Sequence, residues 1–369
     1  MILLLIRRWS CHRHKPALRV ATALGIAMLL NLVFGAAFLL AESGKQPELG
    51  FWDSVWWAMV TMTTVGYGDY FPKTFYGRFF VAYPCLLLGI GLIGYSLGVI
   101  AEAMLERFNK RQKGTATMHF ENHLVICQCP SAARVIQLVE QFRLAQADPH
   151  RQAVVVTNEL DELPSEFREK SIHFVKGLPT SEDVLVRAGV ADAAGVIILA
   201  RDRSDEGCDA ESFTAGTLVR LIEEGGSRSI SVVIELAHRR NLRMMERAGA
   251  DGIVPAEGIT DMLLTQEMCN PGLRHVFENL ATHDTGCEFY IVPQRFSGRP
   301  LREIQIAALD HPSNLQVVGA LRNGVALMPP EKSLRLESKD QLILLAEKRA
   351  DYDAFETDHL TTHPLPQTA

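Results

Sequence analysis

The sequence predicts a membrane-helical part of two spans, followed by a doubly wound α/β part and a small α+β lobe. Three observations carry this. Two long apolar runs lie within the first 105 residues, a short glycine-bearing stretch separates them, and from His119 onward short β-branched runs alternate with amphipathic segments. A chain of 369 residues has room for two or three domains. The net charge of −6, with nearly all the acid beyond Glu121, argues against nucleic acid, which selects a basic face.

Residues 1–16 form an N-terminal segment ahead of the first run, 17–41, which is apolar apart from Arg19, Thr22 and Asn31. As a helix it reaches about 37 Å, enough to cross a hydrocarbon core and longer than the apolar part of a cleaved leader. The second run, 79–105, carries Gly89, Gly91, Gly94 and Gly98, which suit a bend or close packing; Gly89 and Gly91 are the hinge candidates. Arg7, Arg8, Arg13, Lys15 and Arg19 flank the first run, and Arg107, Lys110, Arg111 and Lys113 follow the second. In the connection that follows the first run, 42–53, Glu42, Glu48 and Asp53 stand against Lys45 alone. The positive-inside rule therefore predicts a multi-pass protein of the cell (plasma or inner) membrane with both termini cytoplasmic.

Between the spans, "FWDSVWWAMVTMT" (51–63) reads as a helix too short to cross, capped by Asp53 or Ser54. "TMTTVGYGDY" (61–70) then returns as irregular backbone. Such backbone is tolerated at membrane depth only where it lines a watery path or is buried in protein. Gly66 and Gly68 can take positive φ, which lets successive carbonyls point one way. A ring of such carbonyls replaces the hydration shell of a cation. One chain supplies one wall, so a cyclic oligomer is required.

On these residues the chain resembles the potassium channels: "TTVGYGD" (63–69) matches their selectivity filter and follows paired aromatics, Trp56 and Trp57. The resemblance implies a pore domain over 17–107, with pore helix and filter at 51–69, assembled as a homotetramer. It implies that carbonyls of Thr64, Val65, Gly66 and Tyr67, the Thr64 hydroxyl, and the adjoining Gly68 form the K⁺ path. Tyr67 would face the Trp56/Trp57 cuff, and Asp69 would accept a hydrogen bond from the Trp57 indole. Val60 stands where some members place a glutamate behind the filter.

Past a linker at 108–119, the runs 123–127, 153–157, 172–175, 195–200, 231–236 and 252–255 read as buried parallel strands. Helices fit the gaps at 132–144, 180–188, 209–224 and 239–248, with Thr180 and Asp183 as a capping box and "RAG" ending two of them. This alternation gives a Rossmann-like lobe over 120–256. Linking helices follow at 257–283 (259–267 and 273–281), then a small lobe over 284–355 with strands in "CEFYIVP", "LQVVGALRNG" and "DQLILLAE", and a disordered tail at 356–369.

This arrangement behind a two-helix pore resembles the RCK (regulator of K⁺ conductance) channels, "ERAGADGIVP" (246–255) being its best cytoplasmic stretch. The resemblance implies a gating ring of eight lobes beneath the tetrameric pore. Four come from channel chains, and soluble copies are one source of the other four, for which Met118 is either an internal start or ordinary sequence. Some calcium-gated relatives use an aspartate after the third strand and two acids on the fifth. Here those places hold Leu178, Glu235 and Ala237, too few oxygens for a hard divalent ion.

The dinucleotide fingerprint is missing as well. Cys127, Cys129 and Ala132 replace its glycines and Pro130 removes a donor, which argues against NAD in its usual pose; Asn158 and Glu159 offer a weak ribose contact. Candidates for a regulatory divalent cation or nucleotide are Glu235 and the loop 201–212, at the carboxyl end of the fourth strand. Asp202, Asp205, Glu206 and Asp209 suit a cation, and Arg201, Arg203 and His238, with Arg239 and Arg240, suit phosphate. A solvated loop favouring the next helix's dipole is the alternative. Cys127 and Cys129 with His123 could ligate a metal or be small buried residues in a reducing compartment. The expected function is a ligand-gated K⁺ channel rather than an enzyme. The competing readings are an ungated leak channel and a membrane-anchored NAD-dependent enzyme, whose glycine fingerprint and catalytic pair are both lacking.

Overall fold

The computed structural model describes residues 16–146, 148–205, 207–226, 228–281 and 287–362. The chain divides into two compact units that meet between Ala116 and Thr117.

In the first unit, α1 (Pro16–Glu42) opens on a proline, whose missing N–H costs nothing in a first turn. The short helix α2 (Phe51–Met62) starts at Gly50 rather than at Asp53 or Ser54. Asp53 instead reaches back to accept the Gly50 N–H at 3.0 Å, and the Ser54 hydroxyl donates to the Gly50 carbonyl at 2.9 Å. Both expected caps thus act from inside the first turn. The second long helix begins with a π turn, Gly77–Ala82, and continues as α3 (Tyr83–Gln112). Pro84 lacks the N–H that an α-helix would use there, and the wider turn absorbs the loss: the Tyr83 N–H bonds to the Arg78 carbonyl. α3 outruns the expected end at 105. Lys110 pairs with Glu106 at 2.9 Å, and Lys110 and Arg111 complement the helix C-terminus, shortening the linker.

The core of this unit is Phe38, Leu49, Trp57, Ala58, Met62, Val81 and Cys85. Trp57 stacks on Phe38 with ring centroids 3.8 Å apart. Buried Glu42 closes the far end, accepting the Lys73 N–H, the Thr74 N–H and hydroxyl, and the Gln46 amide. Leu24, Met28, Leu29, Phe79, Phe80, Leu97 and Met104 point outward along helices long and apolar enough to cross a membrane.

In the second unit, β1 (Leu124–Cys127), β2 (Ala153–Thr157), β3 (Ile172–Lys176), β4 (Gly195–Ile198), β5 (Ser231–Leu236) and β6 (Gly252–Pro255) pair in parallel. Their order is β3-β2-β1-β4-β5-β6, so the chain reverses direction across the sheet between β1 and β4. Around it run α4 (Ala132–Ala145), α5 (Ser165–Glu169), α6 (Glu182–Arg187), α7 (Cys208–Glu224) and α8 (Leu242–Met245). Ser131 caps α4 by accepting the Arg134 N–H. α6 starts after Ser181, whose hydroxyl bonds to Asp183, so the expected Thr180–Asp183 box does not form. The expected helix 239–248 is broken into short turns. Asp209 accepts the His238 N–H and the Asn241 side-chain amide, and Glu257 accepts the Arg239 N–H, so the segment is tied at its start to α7 and to the turn after β6.

Two linking helices, α9 (Ile259–Cys269) and α10 (Leu273–Ala281), lead to an antiparallel sheet of order β7-β10-β8-β9. Its strands are β7 (Glu288–Pro293), β8 (Leu315–Arg322), β9 (Val325–Leu327) and β10 (Gln341–Ala346), with α11 (Leu301–Asp310) packed on it. The tail expected to be disordered from 356 is helical to Thr362 within α12 (Arg349–Thr362); residues 363–369 lie outside the described residues. Tyr352 and Phe355, one turn apart, bury against this sheet, and the Tyr352 hydroxyl donates to the Pro293 carbonyl. That anchorage carries the helix past residue 356.

Of the two hinge candidates, Gly89 is a packing glycine: a Cβ there would lie 2.4 Å from the Met62 carbonyl oxygen, whereas one at Gly91 meets nothing within 4 Å. Gly89→Ala must push the end of α2 aside and should lower the melting temperature of the purified protein by the equivalent of about 1–3 kcal/mol. Gly91→Ala should leave it equal or slightly higher. Equal melts for the two variants would contradict this packing.

Candidate functional site

The stretch after α2 has a repeating backbone. Thr64, Gly66 and Gly68 lie at φ of 61°, 59° and 80°, while Val65 and Tyr67 between them do not. This alternation turns the amides to one side and the carbonyls to the other. The Val65 and Gly66 N–H groups both reach the Val60 carbonyl, at 3.0 and 3.4 Å, and the Thr64 N–H reaches Thr61. The carbonyls of Thr64, Val65, Gly66 and Tyr67 accept no hydrogen bond among the described residues, and Thr63 through Asp69 are exposed. The Thr63 hydroxyl closes the last turn of α2 on the Met59 carbonyl at 2.8 Å. The stretch therefore departs from a helix C-terminus, the end of the dipole that favours cations.

Asp69 is held by Trp56, not by Trp57: the Trp56 indole N–H donates at 2.8 Å, and the Trp56 ring lies parallel to Tyr67 at 6.0 Å. Adjacent helical residues face about 100° apart, so only one of the pair can face the filter stretch. Trp57 turns inward to Phe38.

The candidates of the second unit gather where β1, β4 and β5 end. Glu235, only 6 % exposed, accepts Arg134 at 2.8 Å, Arg203 at 2.7 and 3.1 Å, and the Ala200 N–H at 3.1 Å. Burial alone would raise its pKa; the two guanidiniums and the amide outweigh burial and hold it below the ordinary carboxylate value. The acid expected for a divalent ion is thus already matched by two cations. Arg201 pairs with Asp205 at 2.6 Å and with Glu211 at 3.4 Å, which raises its pKa. Asp202 accepts the Ser204 N–H and hydroxyl within its own turn. His238 stands 3.4 Å from Asp209, apart from these groups. Glu206 lies outside the described residues.

Arg134 is the member that the sequence reading missed. Its signal was a cation in the first turn of the helix after β1, where a fingerprint loop would hold phosphate. In that loop Gln128 takes the left-handed turn itself, at φ 72°, and Cys127 and Cys129 are buried. Burial pushes their thiols up to about 12 and 11, so both stay protonated near neutrality. His123 bonds to the Ala188 carbonyl at the opposite end of β1 and does not join them.

Residues 26–106 match the ion-channel family, and residues 119–226 match the slowpoke-like RCK domain of calcium-activated potassium channels. The calcium-gated potassium channel TvoK of Thermoplasma volcanium is 25 % identical over 338 residues, 90 % of this chain and 93 % of that protein. Potassium channel protein 1 of Methanocaldococcus jannaschii is 25 % identical over 279 residues, 73 % of this chain and 77 % of that one. The solved GsuK channel bound to NAD superposes with a TM-score of 0.47 at 16 % identity, covering 96 % of this chain; the chain spans 61 % of its length.

The lowered Glu235 pKa fixes a sign. Its contribution to stability is complete above the ordinary value of 4.5 and is lost as pH falls through the lower folded value. Melting temperature should therefore drop on acidification below about pH 4.5, and Glu235→Gln should flatten part of that slope. At neutral pH the same variant should cost about 1–3 kcal/mol, less than for a sealed pair because both guanidiniums reach solvent. An unchanged acid slope in that variant would show that Glu235 stays charged for other reasons.

Proposed function

The chain is an ion channel that carries an RCK domain, and from that premise we propose that it conducts K⁺ selectively through a tetrameric pore whose opening is set by a ligand on the RCK part. The observation that carries this is the alternating backbone at Thr64, Gly66 and Gly68, which leaves four successive carbonyls unbonded between two membrane-length helices. Four copies around an axis would present the carbonyls of Thr64, Val65, Gly66 and Tyr67 as stacked rings that replace water around K⁺. Trp56 would fix the width of this ring through Asp69 and Tyr67. The basic flanks support cytoplasmic termini in the cell membrane.

The ligand would act at the carboxyl ends of β1, β4 and β5, where Arg134, Arg203 and Glu235 already join three elements. Leu178 is exposed and Ala237 buried where calcium would need acids, so the site favours an anion that competes for the guanidiniums over a hard divalent cation. A nucleotide phosphate has that chemistry, in a pose other than the usual NAD one. Buried Met118, whose N–H bonds to the Arg187 carbonyl, sits at the edge of the RCK fold. Soluble copies begun there would keep nearly all of that fold and could complete an octameric ring.

Two measurements test the proposal. Reconstituted protein should pass K⁺ well ahead of Na⁺, and Gly66→Ala, strained at φ 59°, should lose that preference while still reaching the membrane. Retained selectivity in the variant would overturn the filter assignment. K⁺ current should also respond to nucleotides more than to Ca²⁺; current indifferent to divalent ions, nucleotides and NADH alike would favour an ungated leak.

A further inference from the structure

Beside the guanidinium cluster, three side chains of different chemistry converge. Cys208 opens α7, Asp209 follows it, and His238 stands two residues past β5. One donor atom from each lies within 4.8 Å of the other two. Cys208 is 1 % exposed and Asp209 fully buried, while His238 keeps 21 % of its side chain open to solvent. His238 Nδ1 is itself buried, lies 3.4 Å from Asp209 Oδ2, and has no hydrogen-bond partner among the described residues. The Cys208 sulfur is 4.0 Å from Asp209 Oδ1. A buried ring nitrogen left unpaired is costly unless something else satisfies it.

Asp209 has a structural duty, and it leaves capacity over. Oδ1 accepts the Ala237 N–H at 2.8 Å; Oδ2 accepts the His238 N–H at 3.1 Å and the Asn241 amide at 2.8 Å. A carboxylate has about four lone-pair sites; the fourth, on Oδ1, faces the Cys208 thiol as a long, weak acceptor and is freed when that thiol loses its proton to a metal. The three bonds also lock the carboxylate's orientation, as supporting contacts do around metal ligands. Asp202, Asp205 and Glu211 add negative field around the thiol.

We propose that Cys208, Asp209 and His238 form a site for one divalent transition-metal ion of the zinc type. One sulfur, one nitrogen and one oxygen are the donor set of Zn²⁺ and its neighbours, whereas Ca²⁺ and Mg²⁺ take oxygen alone. Thiolate and carboxylate together neutralise the ion. Three protein ligands leave the fourth tetrahedral position for water, on the side where His238 is exposed and the ion can enter. Bond lengths of about 2.0–2.3 Å place tetrahedral donors roughly 3.5 Å apart, so the side chains close in slightly as the ion binds. The bound ion would tie the start of α7 to the turn after β5. It uses none of the residues that hold Glu235, and its binding does not depend on whether the chain conducts.

The test is metal binding by the full-length protein in detergent. With Co²⁺ in place of zinc, the wild type should bind one ion per chain and develop a thiolate-to-cobalt charge-transfer band, which Zn²⁺ then removes. Cys208→Ser should abolish the band. His238→Gln, at a partly exposed position that folding tolerates, should weaken Zn²⁺ by at least about tenfold, the loss that removing even a supporting partner of a ligand causes. A band that survives in Cys208→Ser places the metal on another thiol and overturns the proposal. So does a wild type with no band, or unaltered Zn²⁺ affinity in His238→Gln.

Discussion

A peptide group inside a membrane must find a partner for both of its ends, and the short stretch from Thr64 to Gly68 meets that demand for only one of them. The amides of Thr64, Val65 and Gly66 turn back onto the carbonyls of Thr61 and Val60 in α2. Its oxygens turn the other way. The apolar packing of the first unit keeps this imbalance in place: Trp57 on Phe38 seats α2 against α1, and Gly89 lets α3 pass against the backbone of Met62. On the proposed reading those oxygens would face a dehydrated cation, and the packing of the neighbouring helices would keep them turned toward it.

The second unit answers a different demand. Six parallel strands bury both faces of a sheet, and their carboxyl ends collect groups that the core cannot accept. In this chain the glycine loop of a dinucleotide fold is filled by Gln128, Cys129 and Pro130, and guanidiniums occupy the space beside it. On the proposed reading, phosphate would be met here by guanidiniums reaching from further away rather than by close loop amides.

Much of this was legible in the residues because burial on two faces leaves a strong imprint. The β-branched runs 153–157, 231–236 and 252–255 are the observed strands to the residue. The glycine pattern of the filter stretch likewise announced its backbone, except that Thr64 also takes positive φ, which a β-branched residue does not advertise. What stayed hidden depends on facing direction or on distant partners. Which of two adjacent tryptophans meets Asp69 is decided by helix rotation. That Glu235 is spoken for by Arg134, 101 positions away, has no local signature. The hold of Asp209, far off in sequence, on His238 and Asn241 at the start of 239–248 has no local signature either. Tyr352 and Phe355 extended a helix into a segment whose polar composition suggested none.

The Glu42 carboxylate binds the loop just ahead of α3 at two consecutive amides and one hydroxyl, so that end of the long inner segment is pinned. A rod fixed at one end can only swing. The segment Gly77–Gln112 is 36 residues, about 54 Å of helix, and a tilt of roughly 10° about the pin would sweep its free end through about 9 Å while the filter end stays nearly still. On the proposed gating, the buried Glu42 would be the fulcrum of that swing: the far end of the segment travels while the stretch Thr64–Gly68, close to the pivot, keeps its place.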